Sequence, residues 1–107
     1  MPLINVAIVE DDDEVRNSIS EFLTTADDLY CVAAYSKSED LMANFKTMNV
    51  DVVLMDITLP GINGIQCVAK LKPLRPQVQF LMFTSHEDAE KTFDSLCAGA
   101  TDRKSVV

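Results

Sequence analysis

Short apolar runs alternate with amphipathic stretches along this chain, and the runs end in polar or acidic residues. Val6-Ala7-Ile8-Val9 and Val52-Val53-Leu54-Met55 are too brief for isolated helices and rich in β-branched residues, the pattern of strands buried on both faces. Val78 to Phe83 reads the same way, whereas Tyr30 to Tyr35 is β-rich and weakly amphipathic, as suits an edge strand. Between the runs, apolar residues recur at helical spacing. Val15, Ile19, Phe22 and Leu23 predict a first helix ending near Thr25, and Leu41, Met42, Phe45 and Met48 predict a second. Ile65, Val68, Ala69 and Leu71 predict a third, stopped by Pro73 and Pro76. Ala89, Phe93, Leu96 and Cys97 predict a fourth, with Gly99 just beyond its end. Start signals agree: Asp12 or Asp13 before the first helix, a Ser36/Glu39 capping box before the second, Asn63 with Gln66 before the third, Ser85 with Asp88 before the fourth. Four such repeats predict an α/β fold with a doubly wound parallel sheet and right-handed crossovers.

Composition narrows this further. With 107 residues and 48% apolar content, the chain is one domain with a single, modest core. A formal charge of −8 argues against direct nucleic acid binding by this segment and against an anionic membrane surface, since both need clustered Lys and Arg. The N-terminus has no basic region followed by an apolar stretch, and no run reaches membrane-spanning length, so a cytoplasmic protein is expected. Cys31, Cys67 and Cys97 are scattered among small or apolar neighbours and read as reduced, mostly buried thiols.

The candidate chemistry lies at the strand ends. In open α/β sheets ligands sit beyond the C-terminal edge, and there Val52 to Met55 delivers Asp56, followed by a turn through Pro60, Gly61 and Gly64. By itself Asp56 reads as a strand-ending or turn-capping carboxylate. The acidic group Glu10-Asp11-Asp12-Asp13 changes the odds, because neighbouring parallel strands would bring Glu10, Asp11 and Asp56 into one small volume. Converging carboxylates without histidine or thiolate suit a hard cation, Mg2+ rather than Ca2+. The acids are consecutive, which excludes an EF-hand loop. Thr84 follows the fourth run at the same edge and is expected to serve the pocket, while His86 reads as an exposed first-turn residue.

Taken together, VAIVEDD, VLMDITLPGINGI, FLMFTS and AGAT, in register from about Leu3 to Thr101, resemble the receiver domain of bacterial two-component response regulators, most of all those that precede a helix-turn-helix output domain. The resemblance implies a flavodoxin-like sheet of order 2-1-3-4-(5). It implies that Asp56 is the phosphoacceptor. Asp11 would ligate Mg2+ directly, Glu10 through water, and Thr58 through its backbone carbonyl. Thr84 would be the switch hydroxyl that turns toward the phosphoryl group. The implied partners are a sensor histidine kinase and a possible homodimer. The only chemistry implied is Mg2+-dependent self-phosphorylation and self-dephosphorylation, not turnover of a separate substrate.

The likeness breaks off after Thr101. The family pattern calls for a fifth strand with a lysine near position 106, where Val106 stands, and Lys104 is out of phase, so no catalytic lysine is assigned. Residues 1–101 are expected to form an incomplete receiver, with the fifth strand and fifth helix missing or replaced. Residues 102–107 are expected to be a non-native tail, since they can be back-translated into the start of a common sequencing adapter. The alternative function, a metal-dependent phosphohydrolase with an aspartate nucleophile, needs an acid-base carboxylate where Thr58 stands. A flavin-binding domain would want a phosphate cradle where Glu10 to Asp13 would repel it.

Overall fold

A computed structural model describes residues 3–83. Thr84, His86, the helix expected between Ser85 and Cys97, Gly99 and the tail lie outside the described residues.

The order of elements is β1 (Ile4–Val9), α1 (Asp13–Thr24), β2 (Leu29–Tyr35), α2 (Ser38–Asn44), β3 (Val52–Asp56), α3 (Gly64–Leu71) and β4 (Gln79–Phe83). The four described strands form one parallel sheet of order β2-β1-β3-β4, the order that the family resemblance implies. β1 and β3 are its centre, and every residue of β3 is buried. Their alternation divides two cores. Val6, Ile8, Val52 and Leu54 face α1 with Ile19 and Leu23, and Ala7, Val9, Val53 and Met55 face α2 and α3 with Leu41, Phe45, Cys67 and Leu71. Each fully buried Val, Leu or Met side chain contributes roughly 1.5–3 kcal/mol, so the middle of this short sheet carries much of the fold.

Both helix faces are narrower than the apolar pattern predicted. In α1 the buried stripe is Ile19 and Leu23, and Phe22 sits at the margin, 37% exposed. In α3 it is Gly64, Cys67 and Leu71, while Ile65 and Ala69 point outward. Gly64 leads that stripe because α3 starts directly against the end of β3: a Cβ there would collide with the carbonyl oxygen of Asp56. The Asn63/Gln66 capping box is present, each side chain bonding the other's amide at 2.9 and 3.1 Å. The Ser36/Glu39 box is not. α2 begins later, with Lys37 at the cap position making no side-chain bond; Ser38 is fully buried, and the Glu39 carboxylate lies over Gly61. Gly61 has a φ of 72°, so a side chain there would be strained as well as crowded by Glu39.

Two polar devices tie the frame together, and neither is visible as a motif. At the N-terminal edge of the sheet, Asp51 accepts from the Asn5 amide through Oδ2 at 2.8 Å, donates its own amide to Asn5, and accepts from Gln79 through its carbonyl. One residue thereby gathers the starts of β1, β3 and β4. Behind α2, which has no basic residue in its last turn, Arg75 reaches from the loop after α3 and donates Nη1 to the carbonyls of Phe45 and Met48. Its guanidinium also lies 5.4 Å from the Phe45 ring centre. It satisfies the carbonyl of Phe45, the C-cap of α2, and that of Met48 in the loop beyond, and its charge complements the helix dipole. Cys31 and Cys67 are free thiols, and burial pushes the Cys67 thiol up from its ordinary value. Among the described residues no helix is long and apolar enough to cross a membrane.

Arg75→Ala should cost about 1.5–3 kcal/mol, the range for hydrogen bonds to a charged group. Arg75→Lys should fall between the two, since lysine replaces the planar fork with a point donor. Urea unfolding of the three chains measures this. A loss below about 0.5 kcal/mol for the alanine variant would show that water replaces the guanidinium at no cost.

Candidate functional site

β1 and β3 run parallel with Val9 opposite Met55, so the next residue of each strand emerges at the same edge. Those residues are Glu10 and Asp56. Both are 5% exposed. Asp11 follows Glu10 at the surface, and one carboxylate oxygen from each of Glu10, Asp11 and Asp56 lies within 4.8 Å of the others. The convergence expected from the sequence is therefore present.

The turn after β1 is held by its own backbone. The Glu10 amide donates to Tyr35 on β2 at 3.0 Å, and Glu10 Oε2 accepts from the Asp12 amide at 3.0 Å. Asp12 caps α1, its Oδ1 accepting from Glu14 and Val15 at 2.9 and 3.1 Å. Arg16, one turn into α1, donates Nη1 to the Glu10 carbonyl at 2.8 Å and pairs through Nη2 with Asp13.

On β3, Asp56 Oδ1 accepts two bonds of 3.0 Å, one from the Thr58 amide and one from the Thr58 hydroxyl. The amide bond is the ordinary habit of aspartate in a turn. The hydroxyl bond is additional to the backbone-carbonyl role that the family resemblance implies for Thr58. An Asp-x-Thr sequence is compatible with this bond without specifying it. On the far side, Phe83 pairs with Asp56 and its carbonyl accepts from the Ile57 amide at 2.9 Å, so β4 also ends at the pocket. Thr84 comes next in sequence and lies outside the described residues.

Electrostatically the pocket is unbalanced. Burial pushes the Glu10 carboxyl up to about 8; the Asp12 amide opposes this, while the Asp11 side chain and the Asp56 charge add to it. Among the described residues the single ion pair is Arg16 with Asp13, so no cationic side chain pairs with any of the three carboxylates. Three carboxyl oxygen donors, two of them nearly buried, fit a small hard cation that takes carboxylates and keeps some water. Among the described residues the cluster offers oxygen donors alone.

Three comparisons bear on this arrangement. The family model for the response regulator receiver domain matches residues 6–103. The response regulator protein VraR of Staphylococcus aureus is 29% identical over 96 residues, an alignment covering 90% of this chain and 46% of that protein. The chain thus spans about half the length of the curated relatives it matches. Among solved structures, the RcsB response regulator of Salmonella typhimurium superposes with a TM-score of 0.87 at 18% identity, over all of this chain and 64% of that one. The isolated receiver domain of RcsB with the phosphomimetic BeF3- gives 0.72 at 22% identity, over 86% of this chain and 72% of that one. At those identities the likeness concerns the fold.

The Glu10 shift predicts how stability depends on pH when divalent cations are chelated. Its carboxyl holds a proton more tightly folded, at about 8, than unfolded, at its ordinary 4.5. The proton's contribution to stability is then complete below about 4.5 and is lost as pH rises through about 8. The thermal midpoint of the unsubstituted chain should therefore fall over that interval relative to Glu10→Gln. Parallel pH profiles for the two proteins would refute the assignment.

Proposed function

Because this chain belongs to the response regulator receiver domain family, we propose that its acidic pocket accepts a phosphoryl group on Asp56 and that the change of charge at the sheet edge is the signal it passes on. The observation that carries this is the convergence of Glu10 and Asp11 on Asp56 at the end of a fully buried strand.

Asp56 is suited to act as nucleophile. Thr58 holds Oδ1 by two bonds, which orients the carboxylate on its short side chain. An Asp56 carboxylate oxygen attacks phosphorus, the new O–P bond forms, and the donor leaves with the electron pair of its own bond to phosphorus. Glu10 and Asp11, together with Asp56 and the Thr58 carbonyl, are the groups that would hold Mg2+, which would supply positive charge to offset the repulsion between an anionic nucleophile and an anionic phosphoryl group. Glu10 must be deprotonated to share in that task, and a neighbouring cation favours its charged form over the raised value it has alone. The phosphorylated aspartate places new acceptor oxygens at the edge where β4 ends. The Thr84 hydroxyl is positioned in sequence to follow them.

The donor we propose is a sensor histidine kinase, and the output is transcription through a DNA-binding segment outside this chain. A phosphohydrolase reading finds no support in the pocket: where it needs a carboxyl, Thr58 donates its hydroxyl to Asp56 instead.

With Mg2+ and a small phosphodonor, the domain should gain a single acyl phosphate, detectable by intact mass. Asp56→Asn should abolish it, and Asp11→Ala should raise the Mg2+ concentration required. Thr84→Ala should leave labelling largely intact while removing the conformational response seen by amide exchange. Labelling that persists in Asp56→Asn would overturn the proposal.

A further inference from the structure

The proposed function leaves one well-defined feature of the acidic turn unused. Arg16 donates Nη1 to the backbone carbonyl of Glu10 at 2.8 Å, and its side chain is 18% exposed, whereas its ion-pair partner Asp13 is 80% exposed. The exposed pair with Asp13 is worth little in water. The bond to the carbonyl is the more consequential contact, because of which peptide it holds.

The Glu10 carbonyl belongs to the planar peptide unit that joins Glu10 to Asp11. Rotation of that plane about the Cα–C bond of Glu10 moves the Asp11 Cα and so changes the direction in which the Asp11 carboxylate leaves the chain. The preceding unit is already fixed, since the Glu10 amide is bonded to Tyr35, and the Glu10 side chain is fixed by the Asp12 amide. Asp11, however, is exposed, so packing does not hold it. The Asp12 amide, bonded to Glu10, holds the peptide unit after Asp11, and the grip of Arg16 holds the unit before it.

Resting on the reading of the pocket as a cation site, we propose that Arg16 is a positioning residue for divalent-cation binding: by holding the Glu10–Asp11 peptide plane it keeps the Asp11 carboxylate turned toward Glu10 and Asp56. It touches neither phosphoryl group nor cation. This assignment can be separated from simple electrostatics by the sign of its effect. A positive side chain beside an acidic cluster repels an incoming cation, so removing it should tighten binding if charge alone mattered. Loss of positioning weakens binding instead.

The test is titration of the full chain with Mg2+ alone, followed by calorimetry at fixed pH and ionic strength, without phosphodonor. Arg16→Met should bind Mg2+ about tenfold more weakly or worse, the usual effect of losing a group that orients a metal ligand. Arg16→Lys, still charged and long enough to reach the carbonyl, should fall between it and the unsubstituted chain. Asp13→Asn, which removes only the exposed pair, should stay within about twofold. Thermal melts with cations chelated establish that each variant folds. Should Arg16→Met not melt cooperatively, Arg16→Lys decides: weaker binding at unchanged charge supports positioning, and unchanged binding overturns it. Equal or tighter Mg2+ binding by a folded Arg16→Met would overturn the assignment while leaving the pocket's function standing. No Mg2+ binding by the unsubstituted chain would defeat both.

Discussion

Two carboxylates at the ends of adjacent buried strands are the constraint from which the rest of this structure follows. The pairing of Val9 with Met55 is dictated by apolar burial, and it places Glu10 and Asp56 side by side, each 5% exposed. Charged groups removed from water and facing like charge are costly. The fold answers with local donors: the Asp12 amide on Glu10, the Thr58 amide and hydroxyl on Asp56. Those bonds do not neutralise the cluster, and the raised Glu10 carboxyl records what is left over. A site that retains such an imbalance on a stable frame is poised for a cation or a proton, and response to charge is what a receiver requires.

The two edges of the sheet are correspondingly unlike. At the N-terminal edge Asp51 bonds to Asn5 and Gln79, so a carboxylate there is used as a backbone acceptor and the strand starts are closed against one another. At the C-terminal edge the strand-end acids Glu10 and Asp56 stay nearly buried and the turn after β1 adds the exposed Asp11 beside them. Close approach replaces bulk on that side: Gly64 lets α3 begin against the Asp56 carbonyl, and Gly61 leaves space taken by the Glu39 carboxylate. Rigidity behind α2 is supplied from a distance by Arg75. The frame is thus tied by groups that leave the pocket's own oxygens available.

Much of this was legible in the chain itself, for a physical reason. Continuous β-branched runs such as Val52-Val53-Leu54-Met55 have few ways to bury both faces other than as central parallel strands. Once the strands are placed, the residue after each run must appear at a shared edge, so Glu10, Asp11 and Asp56 could be grouped before any coordinates. Two caps were readable from spacing, the Asn63/Gln66 box and an acid before α1, where Asp12 rather than Asp13 takes the cap.

What only the tertiary structure decided are the contacts whose partners are distant in sequence or equivalent in pattern. Ser36 and Glu39 satisfied the capping pattern, yet α2 starts later because Ser38 is drawn into the core and Glu39 lies over Gly61. Ile65 and Ala69 suited a helical stripe as well as Gly64 and Cys67 do, yet they point outward, because α3 starts so close to the β3 backbone that only Gly64 fits there. Arg75 finds the end of α2 some thirty residues earlier in the chain, and Asp51 crosses to Asn5; nothing in either neighbourhood specifies those partners. The sequence by itself determined which chemical groups meet at the sheet edge, because burial leaves the strands little choice. Which donors hold those groups in place, Thr58 on Asp56 and Arg16 on the Glu10 carbonyl, was decided only by tertiary structure, because a hydrogen bond depends on distances and angles that no periodicity encodes.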